Sequence, residues 1–244
     1  MRTAILIATI FTTLNISCAT GQKNSAPNDT DMNNQLKNGT NIFFENKTID
    51  SDLNFINLLQ PVVESNGINR CYINSAITFK QCTFKGKLTG YVTDESGKST
   101  MTYFQKSVAF IDCIFEDDVI LRGAIFSAPA NFQGCSFVKK ADFQESHFYT
   151  DAFFNETKYR EEAYFQNAVF AKKLVFMNAR FESNVYFQNA TFYFDSQFSN
   201  AEFQKYADFT VCTFQMGVFF NYCKFQQQRS EEHTSELQSH YSIS

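Results

Sequence analysis

The hexapeptide FQNAVF, residues 165–170, returns almost unchanged as FQNATF at residues 187–192. Both copies belong to a longer pattern, in which one aromatic position recurs at alternating steps of five and six residues. An internal repeat this regular predicts a solenoid, because each unit can bury its apolar side chains only against its neighbours. The recurring positions are Phe110, Phe115, Leu121, Phe126, Phe132, Phe137, Phe143, Phe148, Phe154, Tyr159, Phe165, Phe170, Phe176, Phe181, Phe187, Phe192, Phe198, Phe203, Phe209, Phe214, Phe220 and Phe225.

A second register lies two residues before each aromatic position. It holds mostly Ala, with Cys, Val and Ser at other positions. A spacing of two places both side chains on the same face of an extended strand. Each short strand therefore contributes one small and one large inward side chain, and the residues between and after them are mostly polar. The pattern predicts an all-β protein.

These units resemble the pentapeptide-repeat family in its Phe-centred form. The family's unit is matched by ADFQE (141–145), ANFQG (130–134), AEFQK (201–205) and ADFTV (207–211). The resemblance covers residues 48–225 and implies a right-handed, quadrilateral, parallel β-helix. Two steps of five and two of six give a coil of about 22 residues, which stacks the two hexapeptides in adjacent coils. An 11-residue coil is the alternative, but its interior has little room for two Phe side chains per turn.

The N-terminal residues 1–18 indicate export. Arg2 precedes an apolar run that is too short to span a bilayer. Cys18 follows Ser17, as in the signals of bacterial lipoproteins, and cleavage after Ala19 is the alternative. We expect an exported protein of the cell envelope, held by a lipid on Cys18 or free in the periplasm.

Composition divides the rest of the chain. Residues 19–47 are polar and aperiodic, which predicts a flexible tether. The β-helix is predicted over residues 48–228, with an inserted loop at 85–103 where the repeat breaks. Residues 229–244, RSEEHTSELQSHYSIS, read as the translation of a sequencing adapter and are left out of the fold prediction.

The charge and the reactive side chains argue against several function classes. The net charge of −4 is too small to indicate a nucleic-acid partner, so membrane contact is expected only through the lipid anchor. No metal, cofactor or nucleotide site is predicted. SGKST (96–100) has Val92 where a phosphate-binding loop needs Gly. The cysteines occupy the small inward register without a CxxC motif, which favours buried thiols, with a disulfide between Cys113 and Cys135 as the alternative.

The leading functional prediction is a non-enzymatic structural or protein-interaction module. The first alternative is a carbohydrate-active β-helix enzyme, but the outer column Asp118, Lys140, Glu162 and Asn184 has mixed charge, and His147 has no evident partner. The second is a DNA-mimicking protein that binds a topoisomerase. That role needs a strongly acidic surface and no export signal.

One outward column predicts a contact face for an unknown protein partner or for self-association. It reads Asn131, Phe153, Val175, Gln197 and Phe219, and it is apolar at Phe153, Val175 and Phe219. The opposite column reads Ile120, Asp142, Tyr164, Tyr186 and Asp208, and its Tyr164 and Tyr186 are a weaker candidate. The alternative is that the loop at 85–103 or a C-terminal segment covers the first column.

Overall fold

The computed structural model describes residues 29–65 and 67–226 of the chain. The predictions for the signal peptide, for Cys18 and for residues 229–244 lie outside these described residues. The described chain winds into a right-handed parallel β-helix whose four sides are four sheets, here called A, B, C and D in the order in which each coil visits them.

The strands are short because each side of a coil is short. Sheet A contains Ile42–Glu45, Ile77–Lys80, Val108–Ile111, Ala130–Asn131, Ala152–Phe153, Leu174–Val175, Ser196–Gln197 and Val218–Phe219. Sheet B contains Thr48–Ile49, Thr83–Phe84, Ile114–Phe115, Ser136–Phe137, Lys158–Tyr159, Arg180–Phe181, Glu202–Phe203 and Lys224–Phe225.

The other two sheets follow the same arrangement. Sheet C contains Leu53–Asn54, Leu88–Thr89, Val119–Ile120, Ala141–Asp142, Ala163–Tyr164, Val185–Tyr186 and Ala207–Asp208. Sheet D contains Val62–Val63, Asn69–Ile73, Ser99–Phe104, Ile125–Phe126, His147–Phe148, Val169–Phe170, Thr191–Phe192 and Thr213–Phe214, with Tyr91–Thr93 paired to its long third strand.

The strand register confirms the 22-residue coil. Ala163 pairs with Val185, and Val169 pairs with Thr191, each across one full coil. The two hexapeptides therefore lie in adjacent coils, where the rings of Phe165 and Phe187 stack with centroids 4.9 Å apart. An 11-residue coil is excluded.

The five-residue steps correspond to tight corners. The amide of Ser146 donates to the carbonyl of Phe143 across 3.2 Å, and Glu145 between them has a φ of 58°. A positive φ at the third residue defines a type II turn, which favours Gly or Asn. The same conformation recurs every 11 residues, at Gly123, Gly134, Glu145, Glu156, Asn167, Asn178, Asn189, Asn200, Val211 and Tyr222.

The core consists of stacked Phe rings, as the pattern predicts. Phe176, Phe187 and Phe198 are all 0 % exposed. Rings in one column lie nearly parallel, whereas rings from sheets A and C meet edge to face, as for Phe176 and Phe187 at 5.7 Å and 85°. Both arrangements suit the charge distribution of an aromatic ring. This interior explains why the register tolerates so few residues other than Phe.

The prediction of a flexible tether over residues 19–47 is wrong from Asp29 onward. Residues Asp29–Lys37 form a helix, α1, and the first strand of sheet A follows it directly. Met32 and Leu36, one helical turn apart, are 2 % and 1 % exposed against the core. Two apolar residues in a polar segment were too few to produce a readable period, although they suffice to cover the end of the stack.

The predicted loop at 85–103 is also wrong in its bounds. Leu88–Thr89 lies in sheet C and Ser99–Phe104 in sheet D. Tyr91–Thr93 pairs antiparallel with the start of the latter strand, so the insertion is a hairpin that lengthens one side of a coil. A second short helix, α2 (Phe55–Leu58), fills the coil before it, and the side chain of Asn54 caps its first turn. Both insertions break the alternation of five- and six-residue steps without interrupting the stacking of the coils.

Candidate functional site

Charge is unevenly distributed around the β-helix. From Val108 to Gln226, sheets A and D have two kinds of outward position that carry no charged residue. One is the outward position within each strand, and the other is the position directly after each inward Phe. For sheet A they are Ala109, Asn131, Phe153, Val175, Gln197, Phe219, Ile111, Gln133, Asn155, Met177, Ser199 and Asn221. For sheet D they are Ile125, His147, Val169, Thr191, Thr213, Ser127, Tyr149, Ala171, Tyr193 and Gln215. We call this the uncharged half.

Sheets B and C form a charged half whose ions pair between coils. On sheet B, Arg180 lies 3.2 Å from Glu182 and 3.7 Å from Glu202. Lys224 lies 2.7 Å from Glu202, and it holds the pKa of that carboxyl below its usual range. At the corner between sheets B and C, Lys139 lies 2.8 Å from Glu161. These groups satisfy one another, which is the ordinary state of a solvated surface.

The predicted contact column is in register but only partly exposed. Asn131, Phe153, Val175, Gln197 and Phe219 do pair in sequence across sheet A. Phe219 is 37 % exposed and Phe153 is half-buried. Val175 is only 6 % exposed, so its prediction as a contact residue is wrong. A short side chain one strand spacing from Phe153 and Gln197 is shielded by both.

The tyrosines and carboxylates of the opposite column already have partners on the surface of the same chain. The rings of Tyr164 and Tyr186 stack with centroids 5.3 Å apart, so each covers a face of the other. Lys140 lies 5.5 Å from the centroid of Tyr164 and 3.2 Å from Asp142. Asp208, 3 % exposed, accepts a hydrogen bond from the side chain of Gln188. Tyr164 and Tyr186 therefore present ring edges rather than ring faces.

The sequence-based reasoning missed an exposed aromatic cluster at the corner between sheets D and A. Tyr149, Tyr193 and Phe194 are 50 %, 41 % and 43 % exposed, and Met216 in the next coil is 55 % exposed. Lys172 lies with Nζ 4.4 Å from the centroid of Phe194. Apolar residues recurring at 22-residue spacing at a corner were the signal, but the outward columns predicted from the sequence were strand positions only.

The motifs and titratable groups singled out in the sequence do not come together as a metal site among the described residues. Residues 29–65 and 67–226 contain no group of three or more His, Cys, Asp or Glu side chains placed to hold a metal ion. SGKST runs from the hairpin turn into the strand Ser99–Phe104, and in the turn Asp94 Oδ1 accepts from the backbone amides of Ser96 and Lys98. Burial and the charge of Arg70 lower the pKa of His147. The described helices include none long and apolar enough to cross a membrane.

The six cysteines among the described residues are free thiols within the core wall. Cys113 and Cys135 flank the paired strands Ile114–Phe115 and Ser136–Phe137, so they stack as predicted. A hydrogen bond with Cys135, followed by burial, raises the pKa of Cys113 to about 12. Burial raises the pKa of Cys212 to about 11. Such thiols are poor nucleophiles, because the thiolate is the reactive form.

A comparison of the sequence with known protein families agrees with this fold. The sequence profile "Pentapeptide repeats (9 copies)" matches residues 110–158 and 165–213. Residues 110–158 and 165–213 are thus pentapeptide repeats of that family. No curated protein matches it. One solved structure with a similar chain is that of a trypsin-treated variant of QnrB1, a plasmid-mediated fluoroquinolone resistance protein. It is 20 % identical, with a TM-score of 0.27, and the match covers 75 % of this chain and 91 % of that one. Overall similarity at that level supports no functional argument.

Proposed function

We propose that this protein is a non-enzymatic interaction module of the cell envelope that contacts a protein partner through the sheet-A side of its uncharged half. The segregation of charge is the observation that supports this proposal. Charged side chains are well solvated in water, whereas the exposed apolar area of Phe153 and Phe219 is unfavourable unless another surface covers it. The charged half pairs its ions internally and offers no comparable reason for a partner.

A second copy of the chain is the partner that fits this side best. In a two-fold interface the same patch of both copies meets itself, so that residue i contacts residue j and residue j contacts residue i. A column of like charges would repel itself in that arrangement. Sheet A carries none there, so two copies meet without unpaired charge.

Sedimentation measurements test the self-association. The double variant Phe153→Ser with Phe219→Ser should sediment as a monomer at concentrations where the wild type forms dimers. The matched control is Ile114→Ser, because Ile114 is 43 % exposed on sheet B, in the charged half. This control should dimerise like the wild type. A monomeric wild type, or loss of dimers in Ile114→Ser alone, would reject the sheet-A contact.

The location in the envelope rests on the N-terminal sequence alone. Radiolabelled palmitate should be incorporated into the wild type and not into Cys18→Ser. Equal labelling of both proteins, or release of both in soluble form, would favour cleavage after Ala19.

Neither alternative function gains support from the geometry. A carbohydrate-active enzyme needs clustered acid and base groups, and several of the described carboxylates, such as Glu161 and Glu202, are instead held in separate ion pairs. A DNA mimic needs a continuous acidic surface. From Val108 to Gln226, the surface mixes acids with Lys and Arg on one half and is uncharged along the strands of the other half.

A further inference from the structure

We propose that the strip formed by Tyr149, Ala171 and Tyr193 binds an extended, uncharged β-1,4-linked glycan. These three residues occupy one outward column, each directly after a core Phe of sheet D. The backbone amides of Tyr149, Ala171 and Tyr193 donate to the preceding coil across 3.0, 2.9 and 3.0 Å. The column is therefore straight and parallel to the axis of the β-helix.

The proposal rests on the spacing between Tyr149 and Tyr193. They are two coils apart, which is roughly 10 Å at the usual spacing between paired strands. That length matches one disaccharide of an extended β-1,4-linked glycan, in which every second sugar presents the same face. Two rings at this separation would each pack against an equivalent sugar in successive disaccharides.

The ring faces are available, unlike those of two pairs of outward tyrosines that occupy adjacent coils. Tyr164 stacks on Tyr186 at 5.3 Å, and Tyr72 stacks on Tyr103 at 5.0 Å, because each pair occupies adjacent coils. Ala171 separates Tyr149 from Tyr193 by a whole coil. Among the described residues Tyr193 makes no ring contact, and the ring of Tyr149 meets only that of His147, at 6.2 Å.

The surroundings of the strip fit a neutral sugar. Sugar-binding sites combine aromatic faces with a few hydrogen-bonding groups that fix orientation. Thr191 and His147 lie beside the strip on sheet D, and Gln215 continues its column in the next coil. None of these side chains carries a carboxylate or an ammonium group. Lys172, at the adjoining corner, lies over the ring of Phe194.

A linear glycan explains the shape of the strip better than a protein does. The strip is one residue wide, follows a straight line and repeats with the coil, as a polysaccharide chain does. It shares no residue with the sheet-A contact, so failure of one proposal leaves the other intact. Chitin, cellulose and the glycan strands of peptidoglycan share this backbone chemistry.

Sedimentation with insoluble glycans tests the proposal on the full chain. Purified protein is mixed separately with chitin, amorphous cellulose and protein-free peptidoglycan sacculi, and the bound fraction is measured. We expect retention on at least one glycan, and the comparison of the three identifies the sugar. For the double variant Tyr149→Ala with Tyr193→Ala, we expect binding at least tenfold weaker. Retention of the wild type on none of the three would overturn the proposal.

Two further variants separate sugar recognition from general stickiness. Ala171→Tyr adds an aromatic ring in the coil between Tyr149 and Tyr193. The three rings should then stack as Tyr164 and Tyr186 do, which covers their faces, so glycan binding should fall. Increased binding by Ala171→Tyr would show non-specific adsorption and reject the strip. Tyr164→Ala with Tyr186→Ala removes two tyrosines from the charged half and should bind like the wild type. Because Ala171→Tyr removes no packing, a fall in its binding cannot be ascribed to lost core contacts, and its melting temperature verifies folding.

Discussion

Inward apolar side chains are buried at the N-terminal end of the β-helix and at least partly exposed at the C-terminal end of the described residues. At the N-terminal end, α1 and α2 cover the first coil, and Leu36, Leu53 and Phe55 are 1 %, 1 % and 0 % exposed. At the C-terminal end of the described residues, Phe225 is 59 % exposed although it occupies the same register as the buried Phe181 and Phe203. A position in the repeat directs a side chain inward, but neighbours on both sides along the axis are needed to bury it.

The ring contacts show the same difference. Phe187 stacks on Phe165 at 4.9 Å and on Phe209 at 4.8 Å, one on each side. Phe225 stacks on Phe203 at 4.7 Å on one side only. The free energy from burying apolar area scales with the area removed from water, so an equal substitution should cost much more in the middle than at this end.

The largest expected effect is from truncation of a mid-stack ring. Phe187→Ala should lower the free energy of unfolding by about 3–5 kcal/mol, because it removes a fully buried ring and leaves a cavity. Phe225→Ala should cost about 1 kcal/mol or less, in proportion to its smaller buried area. Chemical denaturation followed by circular dichroism measures both. Equal costs would show that Phe225 is covered in solution as fully as Phe187.

The second prediction concerns the N-terminal cover. Leu36→Ala should destabilise the protein by about 2–3 kcal/mol, because Leu36 is 1 % exposed and seals the first coil. The exposed Asn34 on the same helix provides the control, and Asn34→Ala should change stability by less than about 0.5 kcal/mol. If Leu36→Ala were as mild as its control, α1 would not be a cap.

The third prediction compares two residues in the same corner column. Val211 has a φ of 57° and Asn189 has a φ of 58°. A β-branched residue is strained in this conformation, whereas Asn tolerates it. Val211→Asn should therefore stabilise the protein by about 1 kcal/mol, and Asn189→Val should destabilise it by a similar amount. An unchanged melting temperature for both would mean that the corners relax without cost.

The smallest effect is confined to alkaline pH. Because the pKa of Cys113 is raised to about 12, the folded state favours the neutral thiol. Its contribution to stability is complete below the unfolded pKa and is lost as pH rises through the folded pKa. The unfolding free energy should thus fall by about 1 kcal/mol between pH 8 and pH 10 on account of this thiol.

The variant Cys113→Ala isolates that contribution. It removes the titrating group, so its stability should decline less steeply between pH 8 and pH 10 than that of the wild type. In thiol labelling of the native protein, the partly exposed Cys212 and Cys223 should react before the buried Cys113 and Cys135. If the unfolding free energy of Cys113→Ala declined with pH as steeply as that of the wild type, the raised pKa of Cys113 would be contradicted.

The repeat itself was readable from the sequence. The five-six step of the Phe positions predicted the coil length, and the order of residues between them predicted which side chains share an outward column. The stacking of Phe165 on Phe187 and the pairing of Asn131, Phe153, Val175, Gln197 and Phe219 follow from that period. These features were predictable because a parallel stack with a constant coil length turns sequence spacing directly into spatial adjacency.

Only the tertiary structure decided what is covered. The helix at Asp29–Lys37 and the hairpin around Asp94 occur once each, so the sequence repeat did not predict them. Val175 is buried and Tyr149 is exposed because of the sizes of the residues one coil away, and a period describes direction rather than size. Direction comes from the local chain, whereas exposure depends on neighbours a coil or more distant, so the sequence by itself determined the architecture and the tertiary structure determined the surface.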